Sequence, residues 1–393
     1  ADRRIYTSDR RFPKGTVPKL KLMWKMNRLR KCDRDGVPAE RTCGNVQGCA
    51  LILAENGGTY GTDGRVKRVC KIGTIPGSAG TSGENNRTYE LLAQGEYNRN
   101  YVFCHPASGQ KMLLRVNFGS QMHLEDQIGY EYRALQLLSD SGRTPRPFYV
   151  DGRKDFLPYG VMVMEYLPGH AMNYETELFR GAGCLADIHS IKLPEDHSLL
   201  SPENPLQAIL EECEKMFGVY VESDLADEEK KRKIRKLLDQ GWKKVDGLGE
   251  IPYFCCINTE LNSTNFLINE DGRDYLIDWE KPLYGDPAQD LGHYLAPTTT
   301  FWKTDVILEK EQMNRFIHEY IRRVDGRFDV TGLKERTGIY IPVTCLRGIT
   351  WCAMAWVQYQ NPDKEIFNLS TFRKLEAYLD DGFLKRMEAF ISR

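Results

Sequence analysis

Glu260, Asn265 and Asp278 are the residues whose types and spacing point most directly to chemistry. They lie in Asn258-Thr-Glu260-Leu-Asn-Ser-Thr-Asn265-Phe-Leu-Ile, which is followed by Leu276-Ile-Asp278-Trp-Glu and then by Tyr284-Gly-Asp286-Pro-Ala-Gln-Asp290-Leu. A carboxylate, a side-chain amide five residues on and a second carboxylate thirteen beyond that fall at the two ends of one predicted hairpin. Mg2+ prefers a few hard oxygen ligands, keeps some waters and completes its shell from phosphate oxygens. The layout therefore suits phosphate chemistry, with Asn265 and Asp278 sharing a metal and Glu260 near an acceptor hydroxyl.

The hairpin that must position them is read from Asn265-Phe-Leu-Ile268 and Tyr275-Leu-Ile-Asp278, which flank Glu270-Asp271-Gly272, the Asp-Gly pair being a strong turn signal. Around it run helical patterns: Tyr174 to Ile191, Asp227 to Val245, Ile307 to Val324, Ile341 to Tyr359 and Ser370 to Ser392. Upstream of His170 the pattern differs. Tyr89-Glu-Leu-Leu-Ala, Tyr101-Val-Phe-Cys and Lys111 to Phe118 read as strands, with turns at Gln94-Gly95 and Ser108-Gly109. A helix from Leu124 to Ser139 and a strand from Tyr159 to Met164 follow. The prediction is an α+β protein: a small β-rich part, then a large mainly α-helical part holding a β insertion.

A length of 393 residues fits two lobes. With 41% hydrophobic and 28% charged residues, the composition excludes disordered or fibrous descriptions of the whole chain. A net charge of −1 excludes a surface built throughout for nucleic acid or anionic membrane. That charge is uneven: residues 1–35 carry +8 and the remainder −9. No apolar run is long enough to span a membrane, and Ala1-Asp2-Arg3-Arg4 opens no secretory-type segment. Eleven cysteines, an odd and scattered set, argue for buried thiols in a reducing cytoplasm instead of a disulfide framework. The Gly-rich stretch from Ile72 to Asn86 reads as a linker, so residues 1–85 are expected to form a basic N-terminal extension.

The motifs resemble the aminoglycoside phosphotransferase and choline kinase group, relatives of the protein kinases that phosphorylate small molecules. Its catalytic loop is His-Gly-Asp with Asn five residues after the Asp, then an Ile-Asp-Trp-type metal motif, Gly-Asp-Pro and Asp-Leu. Asn265, Asp278-Trp279, Gly285-Asp286-Pro287 and Asp290-Leu291 match in order and spacing. Upstream, Leu185-Ala-Asp-Ile-His189 is similar to the family's Leu-Ala-x-Leu-His helix, and Met164-Glu165-Tyr166-Leu167-Pro168-Gly169 to its interlobe hinge. The resemblance covers residues 86–393. It implies a bilobal protein-kinase-like fold, with an N-lobe over 86–168 and a C-lobe over 169–393 that carries the catalytic loop and acceptor site.

By the same resemblance, the activity is ATP-dependent transfer of the γ-phosphoryl group to a hydroxyl of an aminoglycoside-, sugar- or amino-alcohol-like acceptor, with Mg2+. Gly95 and Asn98 belong to the hairpin that covers the nucleotide. Arg115, oriented by Glu131, holds the α and β phosphates, and adenine lies against Met164 and bonds the backbone of Glu165 and Leu167. Asn265 and Asp278 hold Mg2+, Glu260 takes the hydroxyl proton, Asp290 braces the catalytic loop and His189 is structural. Trp302, Trp351, Trp356 and Tyr359, with Glu309, Glu311 and Glu319, are candidates for the acceptor pocket.

Two departures stand beside the matches. Arg115 replaces the family's strand lysine, and Asn258-Thr259-Glu260 replaces His-Gly-Asp. Arginine can grip phosphate with a planar fork but differs from lysine in reach, and the longer Glu260 side chain shifts its carboxylate by about an ångström, a scale on which rates change. A nucleotide-binding pseudokinase or regulatory protein is the alternative those changes leave open. A nucleic-acid-associated protein acting through residues 1–35 is the other, and no membrane partner is expected.

Overall fold

A computed structural model of the chain describes residues 20–23, 50–53, 69–71, 88–95, 97–154, 157–361 and 368–392. Most of the basic N-terminal segment and the Gly-rich linker lie outside these residues. The chain divides into two compact units, one comprising residues 1–121 and 150–163, the other residues 122–149 and 164–393.

The first unit is built on antiparallel strands. β1 (Leu20–Met23) pairs with β2 (Ala50–Leu53). A separate six-stranded sheet contains β3 (Val69–Lys71), β4 (Thr88–Gln94), β5 (Asn98–Cys104) and β6 (Lys111–Asn117). Its order is completed by β8 (Gly160–Glu165) beside β6 and β7 (Pro147–Asp151) at the edge. The hairpin turns fall where Gly95 and Gly109 place them: Gly95 N–H bonds Asn98 O, and Gly109 adopts φ +68°. Along β6, Met112, Leu114 and Val116 alternate into the core, as their period of two requires. β7 has no sequence-predicted counterpart, because it opens on Pro147, a residue that reads as loop.

The second unit begins with α1 (Gln127–Leu137), N-capped by Asp126. After β9 (His170–Ala171), the predicted helix over Tyr174 to Ile191 is instead two, α2 (Tyr174–Glu177) and α3 (Arg180–His189). α4 (Pro205–Val221) was not anticipated, although Asn204 as N-cap with Pro205 in the first turn is a sound start signal. α5 (Glu228–Trp242) follows. Next come β10 (Cys255–Ile257), β11 (Phe266–Ile268), β12 (Tyr275–Leu276) and β13 (Leu283–Gly285), then α6 (Pro287–Leu295) and α7 (Pro297–Thr304).

α8 (Lys310–Val324) starts three residues later than expected because Glu309 and Gln312 form a capping box. α9 (Leu333–Tyr359) starts eight residues earlier than the predicted Ile341, so Pro342 lies inside the helix instead of in its first turn. It packs closely on α6: a Cβ on Gly292 would stand 2.4 Å from Tyr340 Cβ. The last predicted helix is two, α10 (Leu369–Tyr378) and α11 (Asp381–Ile391), because Asp380 caps a fresh start by accepting from Gly382 and Phe383 N–H.

Of the cysteines among the described side chains, Cys104 is exposed and Cys184, Cys213, Cys255, Cys256, Cys345 and Cys352 are buried free thiols. No helix among the described residues is long and apolar enough to cross a membrane.

Candidate active site

Two small β-ladders frame the motifs. β10 pairs with β13, Cys256 opposite Tyr284, while β11 pairs with β12 on one side and with β9 on the other. The loop 258–265 leaves β10 and enters β11, and the segment 277–282 leaves β12 and enters β13, so both emerge at the same end of these ladders. The Asp271-Gly272 turn lies where the sequence puts it, with Gly272 at φ +78°. Phe266 stands opposite Leu276, and Ile277 N–H bonds Asn265 O at 2.8 Å. This brings Asn265 within one residue of Asp278 across the ladder.

The loop is held from beneath by Asp290 at the start of α6, which is fully buried. Its two carboxylate oxygens accept the backbone N–H groups of Asn258 and Thr259, each at 2.8 Å. His189 Nε2 lies 3.2 Å from the same carboxylate and His189 Nδ1 lies 2.7 Å from the Tyr320 hydroxyl. His189 is thus the structural residue expected, and the brace works through backbone amides, without a histidine in the loop.

Asn258 supplies the rest of the join. Its side-chain oxygen accepts from Glu260 N–H at 3.0 Å, and its Nδ2 donates to Asp278 O at 2.9 Å, tying the loop to the second strand end. Thr259 sits at φ +68° and Asp278 at φ +65°, a left-handed conformation that aspartate tolerates but that is unusual for the β-branched Thr259. At Thr259 a buried hydrogen bond from Oγ1 to Lys281 O, 2.9 Å, offsets part of the strain. Asn265 is buried and its Nδ2 donates to Glu260 O at 2.7 Å, which directs Oδ1 away as the acceptor atom.

Glu260 pairs with Lys281, Nζ to Oε1 2.6 Å. Beyond it, Glu212 on α4 and Arg347 on α9 form a second pair at 2.8 Å. Burial works to raise the Glu212 pKa, but Arg347 outweighs it and holds the carboxyl below its usual range. Burial likewise opposes the Arg347 charge, and Glu212 with Glu260 more than restores it. Two carboxylates and two cations therefore neighbour the catalytic loop, a balanced set.

His293 Nδ1 accepts Leu261 N–H at 3.1 Å, which fixes the neutral tautomer with the proton on Nε2. Burial first, then the nearby Arg347 charge, lower its pKa from 6.5 to about 3. Between those values the unfolded chain carries this proton and the folded chain does not, so stability is complete above pH 6.5 and falls as the pH drops toward 3. Urea unfolding at pH 6.5 and pH 5 should show the wild type losing about 2 kcal/mol more than His293→Gln; equal losses would remove His293 from this role.

The residues assigned to the nucleotide are found in both units. In the first, Asn98 stands opposite Asn117 and Asn100 opposite Arg115. Asn117 Nδ2 donates to Asn98 Oδ1 at 2.9 Å and Arg115 Nε to Asn100 Oδ1 at 3.1 Å, so Asn98 and Arg115 share the polar β5–β6 pairing, with Gly95 in the turn that leads into β5. In the second, Glu131 is buried on α1 and Met164 is buried at the end of β8. The Glu165 N–H is donated to Arg146 O at 2.9 Å.

Of the acceptor candidates, Trp302 packs edge-on against Trp351 at 5.3 Å, Trp356 against Tyr220 at 6.0 Å, and Tyr359 stacks on Phe372 at 6.1 Å, and all four are half-buried. Glu309 caps α8. Glu319 is held by hydrogen bonds from Arg322 and then Arg323, which lower its pKa to about 2. The sequence reading missed Lys281, His293, Glu212 and Arg347, whose pairings join distant segments and leave no local pattern.

A family model described as the phosphotransferase enzyme family matches residues 88–327. Among solved structures, a spectinomycin phosphotransferase in complex with ADP and spectinomycin is similar with a TM-score of 0.55 at 14% identity, over 78% of this chain and 94% of that one. A Plasmodium vivax ethanolamine kinase gives a TM-score of 0.54 at 14% identity over 79% and 85%. A Cryptosporidium parvum choline kinase gives 0.55 at 13% over 77% and 89%. At such identities the likeness shows the fold, which is kinase-like. No curated protein matches the sequence.

Proposed function

The chain belongs to the phosphotransferase enzyme family, and on that premise we propose that it is an ATP-dependent phosphotransferase acting on a small-molecule hydroxyl, with Glu260, Asn265 and Asp278 carrying the transfer. What supports this most is the bond from Ile277 N–H to Asn265 O, with Asn258 holding the Asp278 carbonyl, since together they put an amide oxygen and a carboxylate at one strand end. These are hard oxygen donors suited to Mg2+. Bound there, the ion offsets charge on the phosphates.

Glu260 orients the acceptor hydroxyl and takes its proton as the oxygen attacks the γ-phosphorus. Gly95, Asn98, Arg115 and Glu131 are assigned to the phosphate end of the nucleotide, and Met164, Glu165 and Leu167 to its base. The acceptor is aminoglycoside-, sugar- or amino-alcohol-like.

ADP release screened with ATP and Mg2+ against sugars, amino alcohols, nucleosides and aminoglycosides tests the reading. Glu260→Gln should cut the rate with the best acceptor by about 10²–10⁴, the span of general-base help. Tight ATP binding with no ADP release from any acceptor would make the protein a pseudokinase.

A further inference from the structure

The structure places a buried cation, Lys281, against the proposed base. Its side chain is only 10% exposed. Apart from the 2.6 Å ion contact with Glu260 Oε1, its Nζ has no hydrogen-bond partner among the described residues. An ammonium carries three N–H donors, and one oxygen cannot take them all. A buried charge with donors left over is costly unless something completes its shell.

The backbone that carries Lys281 is fixed on three consecutive carbonyls. Glu280 O accepts from Gln127 Nε2 at 2.7 Å, Lys281 O from Thr259 Oγ1 at 2.9 Å, and Pro282 O from the Tyr130 hydroxyl at 2.6 Å. The ammonium is therefore preorganised instead of swinging on a loose loop. It stands three residues past Asp278 and touches the carboxylate at which the acceptor hydroxyl would be deprotonated.

We propose that Lys281 is a further catalytic residue, whose ammonium bridges Glu260 and a γ-phosphoryl oxygen of ATP. This rests on the phosphotransferase reading and extends it. As the acceptor oxygen bonds to phosphorus, its proton passes to Glu260, the bond from the γ-phosphorus to the β–γ bridging oxygen breaks, and ADP leaves with the electron pair. Lys281 keeps its three protons throughout and neutralises charge spread over the equatorial oxygens, the place where fixed donors contribute most.

The test compares Mg2+-AMP-PNP and Mg2+-ADP binding by calorimetry in the wild type, Lys281→Met and Lys281→Arg. A contact to the γ-phosphoryl group predicts that Lys281→Met weakens AMP-PNP about tenfold or more with ADP affinity nearly unchanged, and that Lys281→Arg recovers part of the loss. With an active acceptor, kcat for Lys281→Met should fall about 10²–10³-fold, the usual cost of one such donor. Equal changes for both nucleotides, or faster turnover once the cation is gone, would overturn the proposal and make Lys281 a mere counter-ion of Glu260. Unchanged ADP binding by Lys281→Met also reports that the variant is folded. Failure of the wild type to bind either nucleotide would overturn the phosphotransferase reading itself and this inference with it.

Discussion

Asp278→Ala is expected to lower phosphoryl transfer by about 10³-fold or more. A divalent ion acting as Lewis acid on the phosphates supplies several kcal/mol of transition-state stabilisation, and each 1.36 kcal/mol is about tenfold in rate. Loss of the carboxylate leaves Asn265 Oδ1 as the one side-chain ligand of the proposed pair. The backbone there should persist, because Asn258 Nδ2 bonds the Asp278 carbonyl and does not need its side chain. Asp278→Asn makes a useful companion: asparagine tolerates φ +65° and retains one oxygen, so it should keep more activity than alanine. ADP release at saturating ATP, with circular dichroism confirming the fold, decides it. Activity of Asp278→Ala within tenfold of the wild type would refute the metal assignment.

Arg336→Leu should cost the second unit about 3–5 kcal/mol, the usual consequence of removing one member of a buried ion pair. Arg336 on α9 is 3% exposed and Asp286 fully buried, with Nε to Oδ2 at 2.6 Å. The arginine also donates to Thr331 O at 2.7 Å, while the same aspartate accepts Ala288 N–H at 3.0 Å to start α6. Leucine would leave a carboxylate stranded at the start of the helix whose Asp290 carries the catalytic loop. The double variant with Asp286→Leu should recover part of the loss, since an apolar pair removes the stranded charge. Urea unfolding read from the helical signal measures both, and a single-variant loss below about 1 kcal/mol would show the pair to be dispensable.

Much of the site was legible because its parts are local. The five-residue step from Glu260 to Asn265 and the Asp271-Gly272 turn fix Asn265 and Asp278 at one strand end whatever surrounds them. His189, expected to be structural, is buried with both ring nitrogens bonded, to Tyr320 and Asp290. The less legible part depends on partners far along the chain: Lys281 meets Glu260, Arg347 meets Glu212, and His293 receives Leu261 N–H. None of these has a periodic signature. The first two turns of α9, Leu333 to Tyr340, lie ahead of the predicted start at Ile341, and they are held by tertiary packing, the close approach of Gly292 to Tyr340 setting α6 against them. The strand–helix order survived such errors, since periods of 2 and 3.6 depend on each element's own face.

Thr259 has a wider meaning for what such a loop demands of its sequence. Glycine costs nothing sterically at positive φ; here a branched residue takes that contour and fastens itself with its hydroxyl. Two chemically unlike solutions thus satisfy one geometric demand. What the site asks for at this position is a path of the main chain anchored from below by an aspartate, and a side chain that ties itself to that path can stand where glycine would.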